Sequence, residues 1–129
     1  MKKKIAAIAG VMTIAAAVSV SAGTTYSNYS TTVGAFNGSG YTGYSQTKTS
    51  SGANGYIKSS TVGGNYVVDV RMQDAQGNSG DWVRNLGDND DRAIDGHINH
   101  IKGDDMRLHF SNDFDTSVSV QVSGQWKSN

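Results

Sequence analysis

The residues best able to do chemistry in this chain are a run of carboxylates, three histidines and a set of aromatic rings. Asp88, Asp90, Asp91 and Asp95 crowd hard oxygen ligands into one short segment, with Asp104-Asp105 and Asp113-x-Asp115 as smaller clusters. Calcium takes such ligands, and extracellular calcium is abundant enough to fill weak sites. The spacing is not that of an EF-hand, because Arg92 stands at the fifth position and the chain has no Glu to close the loop. A solubilising acidic loop is the competing reading, so calcium stands as a candidate cofactor with those four aspartates as its ligands.

His97 and His100 are three positions apart, and His109 lies further on. Residues i and i+3 of a strand point to opposite faces, so that pair converges on a metal only if the segment is helical. Solvated surface imidazoles are the expectation. Catalysis has little support: no G-x-S-x-G elbow is present, and the aspartates fall in expected loops without an apolar pocket to raise one pKa. The chain reads as non-enzymatic.

The aromatic residues point toward binding. Tyr41, Tyr44, Tyr56 and Trp82 are the candidate contact residues, set among Gly, Ser, Thr and Asn. Exposed rings in such surroundings suit sugars, wall polymers or protein partners. Against this stands the need to fill a core: beyond residue 22 the only leucines are Leu86 and Leu108, so aromatics are expected to be buried.

Period-two patterning supplies the scaffold for these groups. Val118, Val120, Val122 and Trp126 share one parity, with Ser117, Ser119, Gln121, Ser123 and Gln125 on the other. Met106, Leu108 and Phe110 likewise alternate with Arg107, His109 and Ser111. Only an extended strand separates such positions onto two faces. With Asn112-Asp113-Phe114-Asp115 between them as turn residues, the two runs predict a β-hairpin that places Arg107, His109 and Gln121 in water. Asn65–Gln73 is a third strong strand, Tyr56–Val62 a fourth, and Asp81–Leu86 a fifth anchored by Trp82. Gly87–Ala93 reads as a charged loop. Ile94–Lys102 reads as a short strand or an irregular helical turn, because Ile94, Ile98 and Ile101 have helical spacing around Gly96. Turns fall at Asn37-Gly38, Ser50–Gly55, Gly63-Gly64 and Gln76–Gly80.

The sum is an all-β domain, a single antiparallel β-sandwich or small barrel of about seven or eight short strands. Its expected limits are residues 31–129, after a flexible arm over 23–30 and a signal peptide over 1–22. The leader is read from basic Lys2–Lys4, the apolar run Ile5–Val18 and the small residues Val20-Ser21-Ala22, with cleavage near Ala22. The apolar run is short for a membrane span, which needs ~20 residues, so no stable membrane insertion is expected after cleavage. Secretion is the expected localisation.

Loss of the leader removes three lysines and leaves 107 residues with eight basic and eleven acidic side chains, net −3. Such a chain, without a basic tract, is a poor partner for nucleic acid. The absence of Cys rules out disulfides and thiolate metal sites, so the fold must rest on packing. A cell-wall or surface component, or another protein, remains as the expected partner, with the oligomeric state open.

Gly64–Met72, Met106-Arg-Leu-His-Phe-Ser-Asn112 and Val120-Gln-Val-Ser-Gly-Gln-Trp126 carry a resemblance to a group of small exported proteins of bacilli and their relatives. That group implies a leader, a Tyr/Gly/Ser/Thr-rich front and a closing V-x-G-x-W strand, and no particular activity. Its acidic tail after the last Trp is here Lys127-Ser-Asn129. A fainter resemblance, on Tyr26-Ser-Asn-Tyr29 and the aromatic ending, is to lactococcin 972-type bacteriocins, and implies action at a cell-envelope target. The functional expectation is a secreted binding protein acting at or outside the envelope, with a bacteriocin-like antimicrobial protein and a calcium-binding extracellular protein as alternatives.

Overall fold

The alternating segments become strands in a computed structural model that describes residues 20–129. The expected signal peptide falls outside the described residues except for Val20, Ser21 and Ala22, and the last two form a short strand paired with Gln46–Thr47 that cleavage after Ala22 would remove. Ten strands form: β1 (Ser21–Ala22), β2 (Ser27–Val33), β3 (Ser39–Tyr41), β4 (Gln46–Thr47), β5 (Gly55–Val62), β6 (Val68–Asp74), β7 (Val83–Leu86), β8 (Asp90–Ile94), β9 (Asp105–Asn112) and β10 (Val120–Lys127). Seven of them have four or more residues. No helix occurs among the described residues.

One sheet has six strands in the order β1-β4-β9-β6-β7, with β3 also paired to β9. The other has four, in the order β2-β10-β5-β8. All pairings are antiparallel except β1 with β4. Neither sheet closes into a barrel. Val68, Val70, Met72, Leu86, Met106, Leu108 and Phe110 from the first sheet meet Tyr29, Val33, Ile57, Val62, Ile94, Val120, Val122 and Trp126 from the second in one buried cluster. Two sheets packed face to face over a shared apolar layer make a β-sandwich.

The strongest alternating stretch is therefore not a hairpin. β9 and β10 belong to different sheets, and residues 113–119 carry the chain across the sandwich. Buried Asn112 steadies the crossing, its Nδ2 donating to the carbonyls of Gly34 and Val118, each at 3.1 Å. Alternation dictates which face of a strand is dry, and it is identical whether the neighbour pairs beside the strand or faces it across the core. The inward parity holds for Val120, Val122 and Trp126, whereas Val118 lies in the crossover and is exposed.

Two further expectations give way. Ser27–Ser30, placed in a flexible arm, lie in β2, which pairs along β10 from Val33↔Val120 to Ser27↔Trp126 and buries Tyr29. Its polar look reflects an edge strand with one wet face. Asp90–Ala93, placed in a charged loop, form most of β8, the opposite edge strand of the same sheet. Charges there leave the edge unattractive to another chain. Beyond buried Ile94 the segment is irregular, and Ile98 and Ile101 are 85% and 54% exposed, so their helical spacing has no packing partner to support it.

Gly124 is among the glycines dictated by contact. The register of β10 against β5 shifts between Ser123 and Gly124, and a Cβ at Gly124 would run into the Lys58 carbonyl oxygen. A bulge of this kind needs the missing side chain.

Candidate functional site

The outer face of the six-stranded sheet gathers four of the six cation–aromatic contacts among the described residues into two adjoining rows. Antiparallel register sets His109 opposite Tyr41 on one side and Arg71 on the other, so β3, β9 and β6 present these three in a line. The next outward position of β9 is Arg107, opposite Gln73. Tyr44, in the loop after β3, and Trp82, just before β7, close the rows at either end. Directly opposed side chains on one face of a sheet lie near enough to interact, so register alone brings these groups together.

The contacts are close. The Tyr41 and His109 rings stack with centroids 4.4 Å apart and 17° between planes, and Trp82 leans on the same imidazole at 5.0 Å. The Arg71 guanidinium sits 4.3 Å from the centre of the Trp82 ring, and that of Arg107 lies 4.1 Å from Tyr41 and 4.9 Å from Tyr44. Such stacking offers each cation ~0.5–1 kcal/mol where exposed, and holds it in place without neutralising it.

Hydrogen bonds fix the orientations. Arg71 Nε donates to His109 Nδ1 at 3.1 Å, so the ring proton resides on Nε2, which faces Ser39 Oγ at 3.1 Å. Arg107 donates from Nε and Nη2 to Gln73 Oε1 at 3.0 and 2.6 Å. Burial pushes the His109 pKa down to about 4, and the neighbouring Arg71 and Arg107 charges push the same way. The imidazole is therefore a neutral spacer between cations at pH 7. The expectation of a solvated His109 is overturned: it lies on the outer face but is only 7% exposed, because the rings and guanidinium groups cover it.

Charge on this face is not cancelled. Arg84 pairs with Asp69 at 2.7 Å, whose other oxygen accepts from the Asn85 amide at 3.0 Å. Among the described residues Arg71 and Arg107 form no ion pair. Fixed guanidinium donors beside aromatic faces suit the capture of anionic groups carried on a ring or chain.

Of the four candidate contact residues, Tyr41, Tyr44 and Trp82 come together here, while Tyr56 projects from β5 in the other sheet, opposite Lys127 and Ala93. Arg71, Arg84, Arg107 and His109 complete the cluster and were not among the expected contacts. Their alternation with apolar residues assigns them to an outer face, but nothing in the sequence says that β6 and β9 are neighbours.

The candidate calcium ligands are not brought together. Asp88 Oδ1 accepts from the Val62 amide at 2.7 Å, Asp90 Oδ2 accepts from Arg92 Nε at 3.3 Å, and Asp91 sits opposite Lys58 on the edge strand. Asp95 is exposed. Among the described residues no three His, Cys, Asp or Glu side chains gather to hold a metal ion. His97 and His100 bond to backbone and not to a shared ion: His97 Nδ1 accepts from the Asn99 amide at 2.9 Å, while His100 Nδ1 accepts from the His97 amide at 3.1 Å and its Nε2 lies 2.9 Å from the Asn78 carbonyl oxygen, with His100 fully buried where a solvated ring is expected.

Comparison with models of protein families, with curated proteins and with solved structures found no match to this chain.

Proposed function

We propose that this chain is an exported, non-enzymatic β-sandwich protein that acts by binding at or outside the cell envelope, and that the outer face of its six-stranded sheet is the binding surface. One observation carries the reading: Arg71 and Arg107 stand on aromatic rings, oriented by hydrogen bonds, with no carboxylate paired to either among the described residues. Packing that holds two cations in fixed poses without spending their charge leaves a surface ready for an anionic partner. Envelope polymers supply phosphate and carboxylate groups in abundance. The test is a pull-down with purified cell walls, comparing the natural chain with an Arg71→Ala/Arg107→Ala double variant. Retention of the natural chain and loss of the variant is the expected result. Failure of the natural chain to bind walls, whole cells or isolated wall polysaccharide overturns the reading.

A second reading, antimicrobial action at an envelope, draws on a different observation. The loops after β2 and β9 are joined by hydrogen bonds from Phe36 N to Thr116 O at 2.8 Å and from Asn37 N to Asp113 O at 3.1 Å. They hold Phe36 and Phe114 64% and 79% exposed, and Phe36 has a positive φ of 53°. Aromatic exposure on a strained backbone is a feature that functional loops carry. Growth inhibition of a bacterial panel, abolished by Phe36→Ser/Phe114→Ser, is the expected behaviour under this reading. An inactive natural chain removes it.

A further inference from the structure

A cleft of about 560 Å³ opens at the edge where β2 of one sheet meets Tyr41 of β3 and the loop that follows it in the other. Among its lining residues are Tyr26, Asn28, Ser30, Tyr41, Thr42 and Gln125, two rings among hydroxyls and amides. The volume lies within the ~300–1,000 Å³ of small-ligand pockets. The lining lacks the apolar majority that such pockets usually carry. It is matched instead to a ligand that is itself covered in hydroxyl groups, where rings stack on the flat face and side-chain amides and hydroxyls exchange hydrogen bonds.

The edge is stitched, so the cleft is already formed. Gln46 Nε2 shares its two hydrogens among Thr25 O, Ser27 Oγ and Trp126 O at 2.8, 2.9 and 3.1 Å, and Thr31 Oγ1 donates to the Tyr41 carbonyl at 2.9 Å. These bonds bridge the two sheets beneath and beside the opening.

Cations mark both ends. At one, the ammonium groups of Lys58 and Lys127 lie 4.5 and 5.1 Å from the centre of the Tyr26 ring. At the other, Tyr41 carries Arg107 at 4.1 Å and so belongs both to the cleft and to the outer-face rows. Among the described residues neither lysine forms an ion pair, although Asp91 stands opposite Lys58 in register. A ligand seated here would meet hydroxyl partners in the middle and positive charge beyond each end.

We infer that this cleft holds one unit of an anionic, polyhydroxylated polymer stacked on Tyr26 and Tyr41, with the acidic groups of the chain reaching Lys58 and Lys127 at one end and Arg107 at the other. The inference rests on the reading of the outer face as a binding surface, and it extends that surface around the sandwich edge to the second sheet.

The test is binding of the purified full chain to three defined polymers: polygalacturonate for carboxylate, poly(glycerol phosphate) for phosphate, and dextran as the uncharged polyhydroxylated control. At least one anionic polymer is expected to bind about tenfold or more tightly than dextran, a difference of ~1.4 kcal/mol. Tyr26→Ala and a Lys58→Ala/Lys127→Ala double variant, each checked for an unchanged melting temperature, are expected to lose most of that advantage. The tighter of the two anionic polymers identifies which acidic group is read. Binding of neither anionic polymer, or of dextran equally well, overturns the inference. So does cleft-variant binding at natural strength while Arg71→Ala/Arg107→Ala loses wall retention, and that pattern leaves the outer-face reading standing. Loss of wall retention by the natural chain fails both.

Discussion

The imidazole of His109 lies nearly parallel to the ring of Tyr41, 4.4 Å away, with the Arg71 guanidinium hydrogen-bonded to its Nδ1. This arrangement has room for a neutral ring and none for a third positive charge. The pKa of His109 is held at about 4, against an ordinary 6.5, by burial first and by Arg71 and Arg107 second. Between those two values the unfolded chain binds a proton that the folded chain refuses. The His109 share of folding stability is therefore complete above about pH 6.5 and declines as pH falls toward 4. His100, also lowered chiefly by burial, acts in the same direction. Denaturant titrations from pH 7.5 to 4 are expected to show this slope, and His109→Gln is expected to reduce it while leaving the His100 share. An unchanged slope in the variant would mean that His109 accepts its proton freely.

Alkaline pH tests the opposite end of the sandwich. Lys48 is 1% exposed, and its Nζ donates to the carbonyl oxygens of Ala53 and Ser128. Burial lowers its pKa from 10.5 to about 8. From pH 8 to 10.5 the unfolded chain holds more protons, so stability rises with pH across that window and is lost as pH falls back through 8. Tyr29 limits the gain, because burial raises its phenol from 10.0 to about 12, and unfolded tyrosines ionise first above pH 10. A stability maximum near pH 10, where the Lys48 rise meets the Tyr29 fall, is the expected profile. Lys48→Met is expected to flatten the rise while keeping the fall, as read by urea unfolding at fixed temperature.

How much of this was legible in the sequence differs between face and neighbour. The inward residues of β6, β9 and β10 follow from alternation, because hydrophobic burial enforces period two on any half-buried strand. Strand adjacency does not follow. β9 and β10 look like a hairpin, yet β9 pairs with β6 and β10 with β2 and β5, through long-range hydrogen bonds that leave no local pattern. The same gap explains the candidate site. Tyr41, Tyr44 and Trp82 were visible as aromatic residues without a fixed place, but Arg71 and His109 become one cluster only when residues 71 and 109 are set side by side. The edge strands β2 and β8 look like arm and loop in the sequence because an edge needs few apolar residues and tolerates charge.

The parity of β10 has a direct test. Val120 is 2% exposed in the shared core and Gln121, its neighbour, faces solvent. Val120→Asp places an unpaired charge among Val33, Val62 and Val122, and losses above ~4 kcal/mol belong to that class of change. The variant is expected to be unfolded by circular dichroism at 25 °C. Gln121→Lys is expected to remain within ~0.5 kcal/mol of the natural chain. Equal destabilisation by the two would show that the strand is turned the other way.

The bulge in β10 provides the sharpest test of the four-stranded sheet. Gly124 sits where the register against β5 shifts, between Tyr29 on β2 and Ser59 on β5. A methyl group there meets the Lys58 carbonyl oxygen and, at 2.9 Å, the Tyr29 hydroxyl. The carbonyl belongs to a strand hydrogen-bonded on both sides and cannot retreat without opening the pairing of β5 with β8 or β10. Overpacking of this kind typically costs ~1–3 kcal/mol even where side chains can adjust, and a backbone obstacle adjusts less. Gly124→Ala is therefore expected to lower stability by ~2 kcal/mol or more, near the upper part of that range. Gly52→Ala is the matching control, since a Cβ there meets nothing within 4 Å, although its φ of +72° is itself unfavourable to alanine by ~1–2 kcal/mol. A larger loss at Gly124 than at Gly52 in parallel urea titrations supports the close approach of β10 to β5. The reverse order would mean that left-handed backbone, and not contact across the sheet, sets the penalty.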